Sequence, residues 1–247
     1  MVQRYFSNQS FSVDGFITLT GEDYKHIVQV MRMSVGDSII VVAEEEAYMA
    51  IITLIESQEV VAQQYGDPLP TNEMPIQVTI VNGLAKGDKH DLIVQKSTEA
   101  GVHRIIPFKA ARSIVKWDDK KSVKKIERLQ KIALQAAEQC HRTVIPTVEE
   151  PMTLHQLMEV SKQYDVCLFA DEEEAKIAQR PRLQDRLKML TEGQRIMVVF
   201  GPEGGLSREE VETFQQAGFQ AIALGPRILR TETAPLVFLS ALSYEFE

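Results

Sequence analysis

Cysteine is nearly absent from this sequence of 247 residues. Cys140 and Cys167 are too few for a disulfide framework or a four-ligand zinc site, and they point to a reducing compartment. Long hydrophobic runs are lacking as well. The most apolar late segment, "APLVFLSALSYEF", is shorter than the roughly 20 residues a bilayer span needs, and the opening "MVQRYFSNQS" has no apolar signal core. The expectation is a cytoplasmic protein with no membrane partner. None of the histidines (His26, His90, His103, His141, His155) stands at metal-ligand spacing from a second His, Cys or carboxylate, so no metal is expected. There is no repeat of fixed period and no low-complexity tract. Apolar residues at 44% and charged ones at 25% exclude a disordered chain.

The net charge of −8 hides an asymmetry. From Lys109 to Lys131 nine Lys or Arg stand against three acids, while acids cluster at Glu44 to Glu46 and Asp171 to Glu174. Screening cuts distant charges off beyond about 8 Å at physiological salt, so local charge governs attraction for phosphate.

Two regions differ in rhythm. "SIIVVA" from Ser38, "AYMAIITLI" from Ala47 and "EVVAQQY" from Glu59 are β-branched runs that predict a small barrel or sandwich. "GDPLPTNEMP", from Gly66 to Pro75, reads as a linker, placing one domain at 1–72 and a second at 73–247. In the second, strands alternate with helices: "PIQVTIVNG", a helix ended by Gly101, "RIIPF", a long amphipathic helix with Ser122 as N-cap, "DVCLFA", a helical patch at Leu183, Leu187 and Leu190, "RIMVVF", a helix from Arg208 closing at Gly218, "FQAIALG", and a last helix from about Thr231. Such alternation implies parallel crossovers and an open α/β sheet.

Ligands in such sheets sit beyond the carboxyl ends of strands. Two loops of the required kind follow strands here, "FGPEGGLSREE" and "LGPRILRTETAP", both with Gly-Pro at the start. In the first, Ser207 and Glu210 have capping-box spacing; in the second, Pro235 fits the first turn of the last helix. Neither is a P-loop or a dinucleotide fingerprint, and Glu203 would repel phosphate. The ligand expected there is neutral or cationic; the alternative is two tight turns that only pack.

"VVFGPEGGLSREEVETF" followed by "LGPRILRTETAPLVFLSAL" resembles the signature of the bacterial ribosomal RNA small-subunit methyltransferase E family, in the SPOUT superfamily. "KGDKHDLIVQKSTEAGV", Arg112-Ser113, "AAEQCHR", "RYF" and "HIVQVMRMSVGD" extend the likeness over nearly the whole chain; His141 stands where a small residue is commoner. The resemblance implies a PUA-like β-barrel domain that binds RNA, a SPOUT α/β domain with a C-terminal trefoil knot, and a homodimer. It implies S-adenosylmethionine as cofactor, 16S rRNA within the small ribosomal subunit as partner, and methylation of a uridine at N3. The cofactor-binding residues it implies are Phe200, Gly201, Gly205, Leu224, Gly225, Ile228, Leu229, Glu232, Thr233 and Ala234.

Methylating a uracil nitrogen requires loss of the N3 proton and support for the anion. Arg230 is the leading candidate for that support, with an ion pair to Glu232 or to a neighbouring subunit as the alternative. Glu203 is a candidate base, or a pin for its loop. Arg4, Arg32, Lys86, Lys96, Arg112 and Lys116 are candidate RNA contacts, and Phe108 or Trp117 could stack on a flipped base. Two readings compete with this one: methylation of a ribose hydroxyl or a tRNA base by the same fold, and RNA binding without catalysis.

Overall fold

A computed structural model describes residues 2–171 and 183–247, without the side chains of 119–121. The chain divides into two compact units, Met1–Glu73 with Ala137–Val144, and Met74–Ala136 with Ile145–Glu247.

The first unit is a five-stranded half-barrel in the order β1-β3-β4-β5-β2. Its strands are β1 (Arg4–Phe6), β2 (Phe16–Thr20), β3 (Ser38–Ala43), β4 (Glu46–Glu56) and β5 (Glu59–Tyr65). β1 runs parallel to β3 and the remaining pairs are antiparallel. In β3 both faces are buried: Ile39, Val41 and Ala43 join the core with Tyr5, Leu19, Ile52 and Val60, while Ile40 and Val42 pack on Ala47. The acidic run Glu44 to Glu46 proves to be a hairpin turn. Glu44 and Glu45 take φ of 53° and 64°, the left-handed conformations that a two-residue turn of matching twist requires. Helix α1 (Gly21–Lys25) and a π-helical turn (His26–Val30) follow β2, and the π turn buries Ile27.

Ala137–Val144 is tied into this unit by charge. The Glu73 carboxylate accepts from Arg142 Nε at 3.1 and 3.0 Å and from the N–H groups of Thr143 and Val144 at 2.9 and 3.1 Å. These bonds hold its pKa below the ordinary value although burial pushes it up.

The second unit carries a parallel sheet in the order β11-β9-β10-β6-β7-β8. These are β6 (Gln77–Gly83), β7 (Arg104–Phe108), β8 (Thr147–Val148), β9 (Val166–Ala170), β10 (Arg195–Phe200) and β11 (Gln220–Ile222). The helices are α2 (Lys89–Glu99), α3 (Asp119–Gln139), α4 (Leu154–Ser161), α5 (Leu183–Leu187), α6 (Arg208–Gln216) and α7 (Ala234–Phe246). Strand alternation serves two cores, as expected of a sheet covered on both faces. Val78, Ile80, Ile196 and Val198 face Val94, Leu129 and Leu239; Val81, Met197 and Val199 face Leu157, Val211 and Phe214.

Two helix starts differ from expectation. α3 begins at Asp119, so Ser122 is not its N-cap but lies in the first turn, buried, its N–H bonded to Asp118 O. α7 begins at Ala234, because Thr231–Thr233 form a turn whose last residue is the N-cap. Among the described residues no helix is long and apolar enough to cross a membrane.

Candidate functional site

The carboxyl ends of β9, β10 and β11 open onto one cavity of about 390 Å³. Its walls are the two glycine-rich loops: Phe200 to Leu206 after β10, and Leu224 to Thr231 with Ala234 after β11. Bare backbone is a packing requirement here. A Cβ on Gly201 would lie 2.9 Å from Gly205 C and Leu206 N, and one on Gly83 would lie 2.4 Å from Pro202 N. The loop therefore turns within its own van der Waals limit, against the end of β6.

Helix α6 anchors the loop's exit. Ser207 Oγ accepts from Glu210 N and Glu210 Oε2 from Ser207 N (2.8 Å), while Glu210 Oε1 takes the N–H of Ala111 at 2.7 Å. A buried polar thread joins three distant segments. Asn82 Nδ2 donates to Thr231 Oγ1 at 3.2 Å, and Thr231 Oγ1 donates to Gly201 O at 3.0 Å.

The rim is charged. Lys89 Nζ lies 2.9 Å from Glu203 Oε1 and 3.4 Å from Glu232 Oε2. The N–H of Lys86 also donates to Glu203 Oε1, at 3.2 Å. Burial pushes the Glu203 carboxyl up, but the bonds from Lys89 and from backbone N–H groups outweigh it and its pKa falls below the usual carboxylate value. Arg112 donates to Gly204 O at 3.2 Å, and Arg208 to both oxygens of Asp171 at 3.1 and 3.0 Å. Behind the rim, His90 Nε2 accepts the N–H of Ala85 at 3.1 Å. Burial first, and then the charge of Lys125, lowers its pKa to about 4.

Residues 72–243 match the family described as an RNA methyltransferase domain, and residues 19–64 match an RNA methyltransferase PUA domain. The chain is 43% identical to ribosomal RNA small subunit methyltransferase E of Bacillus subtilis (strain 168), over all of this chain and 98% of that protein. It belongs to the ribosomal RNA small subunit methyltransferase E family. A methyltransferase E of the aphid symbiont Buchnera aphidicola is 29% identical over 99% of this chain and 94% of its own length. Among solved structures, the Neisseria gonorrhoeae methyltransferase E bound to S-adenosyl methionine superposes with a TM-score of 0.86 at 28% identity, covering 100% of this chain and 98% of that one.

Against that family identity, the cavity can be read residue by residue. Phe200, Gly201, Gly205, Leu224, Gly225, Ile228, Leu229 and Ala234 line it, as do Glu203 and Arg230. Apolar Leu224, Ile228 and Leu229 beside close-packed glycine backbone suit an adenine ring, while the carboxylates at or near the rim are already paired, Asp171 with Arg208 and both Glu203 and Glu232 with Lys89. Glu232 stands outside the lining and turns to Lys89, so its ion pair is not with Arg230; Thr233 stands at the N-cap position of α7 without a side-chain capping bond. Arg230 is exposed, and none of the described residues engages its side chain.

The RNA candidates scatter. Arg32, Lys86 and Lys116 are exposed, Arg112 lines the cavity, and Lys96 pairs with Glu99 at 2.7 Å. Arg4 requires correction: it is 7% exposed and its Nη1 donates to Arg142 O at 2.8 Å, so it serves the first unit's interior rather than a phosphate. The stacking candidates require it too. Phe108 is fully buried against Phe214, and Trp117 is buried between His90 and Lys125, whose Nζ lies 4.6 Å from the ring centroid. Lys120 and Lys121 of the basic window, and Glu172–Glu174 of the second acidic run, lie outside the described residues or side chains. Lys89, Asp171, Arg208, Asn82, Thr231 and Gly83 escaped the sequence reading. Of these only Gly83, at the end of a predicted strand, carried a visible signal.

Proposed function

We propose that the protein is a cytoplasmic methyltransferase that modifies one uridine of 16S rRNA at N3, with S-adenosylmethionine as donor. The observation that carries this reading is the cavity at the strand ends, framed by both glycine loops, in a chain alike end to end to methyltransferase E of Bacillus subtilis. When bound, S-adenosylmethionine supplies a methyl group on a positively charged sulfonium. Leu224, Ile228 and Leu229 would enclose its apolar parts, while the main chain of Gly201, Gly205 and Gly225 meets its polar edges. Arg230 is the catalytic residue in this reading: its exposed guanidinium holds O2 or O4 of uracil and lowers the cost of losing the N3 proton. Glu203, already held by Lys89 and Lys86, pins its loop.

Residues 1–72 form the RNA-binding domain and 73–247 the methyltransferase domain in this proposal. The C-terminal segment passes through a trefoil knot, a reading supported by the way Thr231 is held between Asn82 and Gly201. The working form is a homodimer, which would cover exposed apolar side chains such as Ile228 (72%) and Tyr244 (88%). The test is nucleoside mass spectrometry of 16S rRNA from cells lacking the protein, before and after treatment with purified enzyme and donor. Loss and return of one N3-methyluridine is expected. A missing ribose methyl, or unchanged rRNA, would overturn the assignment.

A further inference from the structure

We infer that Lys89 is a positioning residue: it clasps the two cavity loops together by bridging Glu203 on the first and Glu232 beside the second. The inference rests on the S-adenosylmethionine reading above. Lys89 is the first residue of α2, so its backbone is fixed by a helix, and that helix is itself held at its start by the His90 bond to Ala85 N–H and the His90–Trp117 ring contact at 5.0 Å. From this fixed base its ammonium reaches both loops, 2.9 Å to Glu203 and 3.4 Å to Glu232.

The clasp answers an electrostatic problem. The Glu232 side chain is 14% exposed, and a carboxylate so enclosed is costly to keep ionised without a cation close by. Glu203 carries a second negative charge on the neighbouring loop. Without Lys89 the two carboxylates would repel each other across the rim, and the first loop would keep only its weaker tie to Lys86 N–H on this side. Among the described residues Lys89 bonds to the two carboxylates and to neither the bare glycines nor Arg230, so its effect falls on how the loops are held rather than on the reacting atoms.

Four variants of the whole chain test this: Lys89→Met, Lys89→Arg, Glu203→Gln and the double variant of Lys89→Met with Glu203→Gln, titrated calorimetrically with S-adenosylhomocysteine and assayed on small ribosomal subunits. The expected result is about a tenfold weaker Kd and a similarly raised donor KM for Lys89→Met, with kcat at saturating donor within about twofold. Lys89→Arg should restore most of the affinity. The double variant should bind no more weakly than the worse single one, since Lys89→Met already removes the Glu203 contact together with that to Glu232. An unchanged Kd in Lys89→Met, strictly multiplied losses in the double variant, or a loss confined to kcat would each overturn the clasp. Should Lys89→Met fail to fold, Glu203→Gln and Lys89→Arg carry the same comparison of KM with kcat. A wild-type protein that gives no heat with S-adenosylhomocysteine would instead bring down the cofactor reading itself.

Discussion

The two units handle charge in opposite ways. In the half-barrel unit, Arg4, Glu73 and Arg142 are taken inside, where Glu73 binds Arg142 and Arg4 Nη1 binds the Arg142 carbonyl, so their charges hold the fold, although Arg4 Nε finds no partner among the described residues. In the methyltransferase unit, Lys89, Glu203, Arg112 and Arg230 stay at the cavity rim with water on one side, while polar groups buried beneath them, among them the Asn82–Thr231 thread, His90 and the capping Glu210, are held by hydrogen bonds. Damage to charge should therefore cost stability in the first unit and function in the second.

Four experiments would sharpen or break that contrast. The largest effect is expected from Glu73→Gln, which removes the carboxylate charge from beside the buried Arg142 (3% exposed); roughly 3–5 kcal/mol of stability should be lost in denaturant unfolding. Affinity for S-adenosylhomocysteine should persist in the fraction that remains folded. Arg230→Ala comes next. We expect kcat to fall on the order of 100-fold while cofactor affinity and melting temperature hold, and equal turnover would remove Arg230 from the chemistry.

The third concerns pH and takes one displaced group from each unit. His90 ordinarily titrates at 6.5 and in the fold at about 4, so the stability it confers is full above 6.5 and is lost as pH falls through that window. The span corresponds to at most about 3 kcal/mol. Glu138 is displaced the other way, from 4.5 to about 7, by burial and then by the charge of Asp23. Its contribution is complete below 4.5 and disappears as pH rises through 7. The two oppose each other between 4.5 and 6.5, and His90 should win because it is almost fully buried while Glu138 is partly solvated. Melting curves from pH 4 to 8 should thus show wild-type stability falling in acid, a flatter acid limb in His90→Gln, and a flatter limb from 4.5 to 7 in Glu138→Gln. The smallest effect is reserved for the exposed basic surface: Lys116→Glu should weaken rRNA binding and reduce its salt slope by about 1, and an unchanged slope would take Lys116 off the RNA path.

What could be read ahead of the structure follows from range of interaction. The capping box at Ser207 and Glu210 was legible because both partners lie within one turn, and the strands β3 to β6 because β-branched runs of six or more residues are a strong local signal. β1 and β2, at three and five residues, are too short for periodicity, and the box at Thr153 and Gln156 passed unnoticed although its spacing is the same. Ser122 misled because a good cap residue near a helix start was placed, by burial, inside the first turn instead. Arg4 misled for a related reason: sequence gives the charge of a side chain but not the side of the surface on which it ends.

By itself, then, the order of residues determined the class of each unit, the two glycine loops and the family to which the chain belongs, since all are written in local pattern and in motif. Only the tertiary structure decided which groups meet. Lys89 and Glu203 are 114 positions apart and Asn82 and Thr231 are 149 apart, so nothing local couples them. They are brought together because a parallel sheet gathers the ends of strands from distant parts of the chain at a single edge, and it is there that bare backbone, paired charge and an exposed arginine share one cavity.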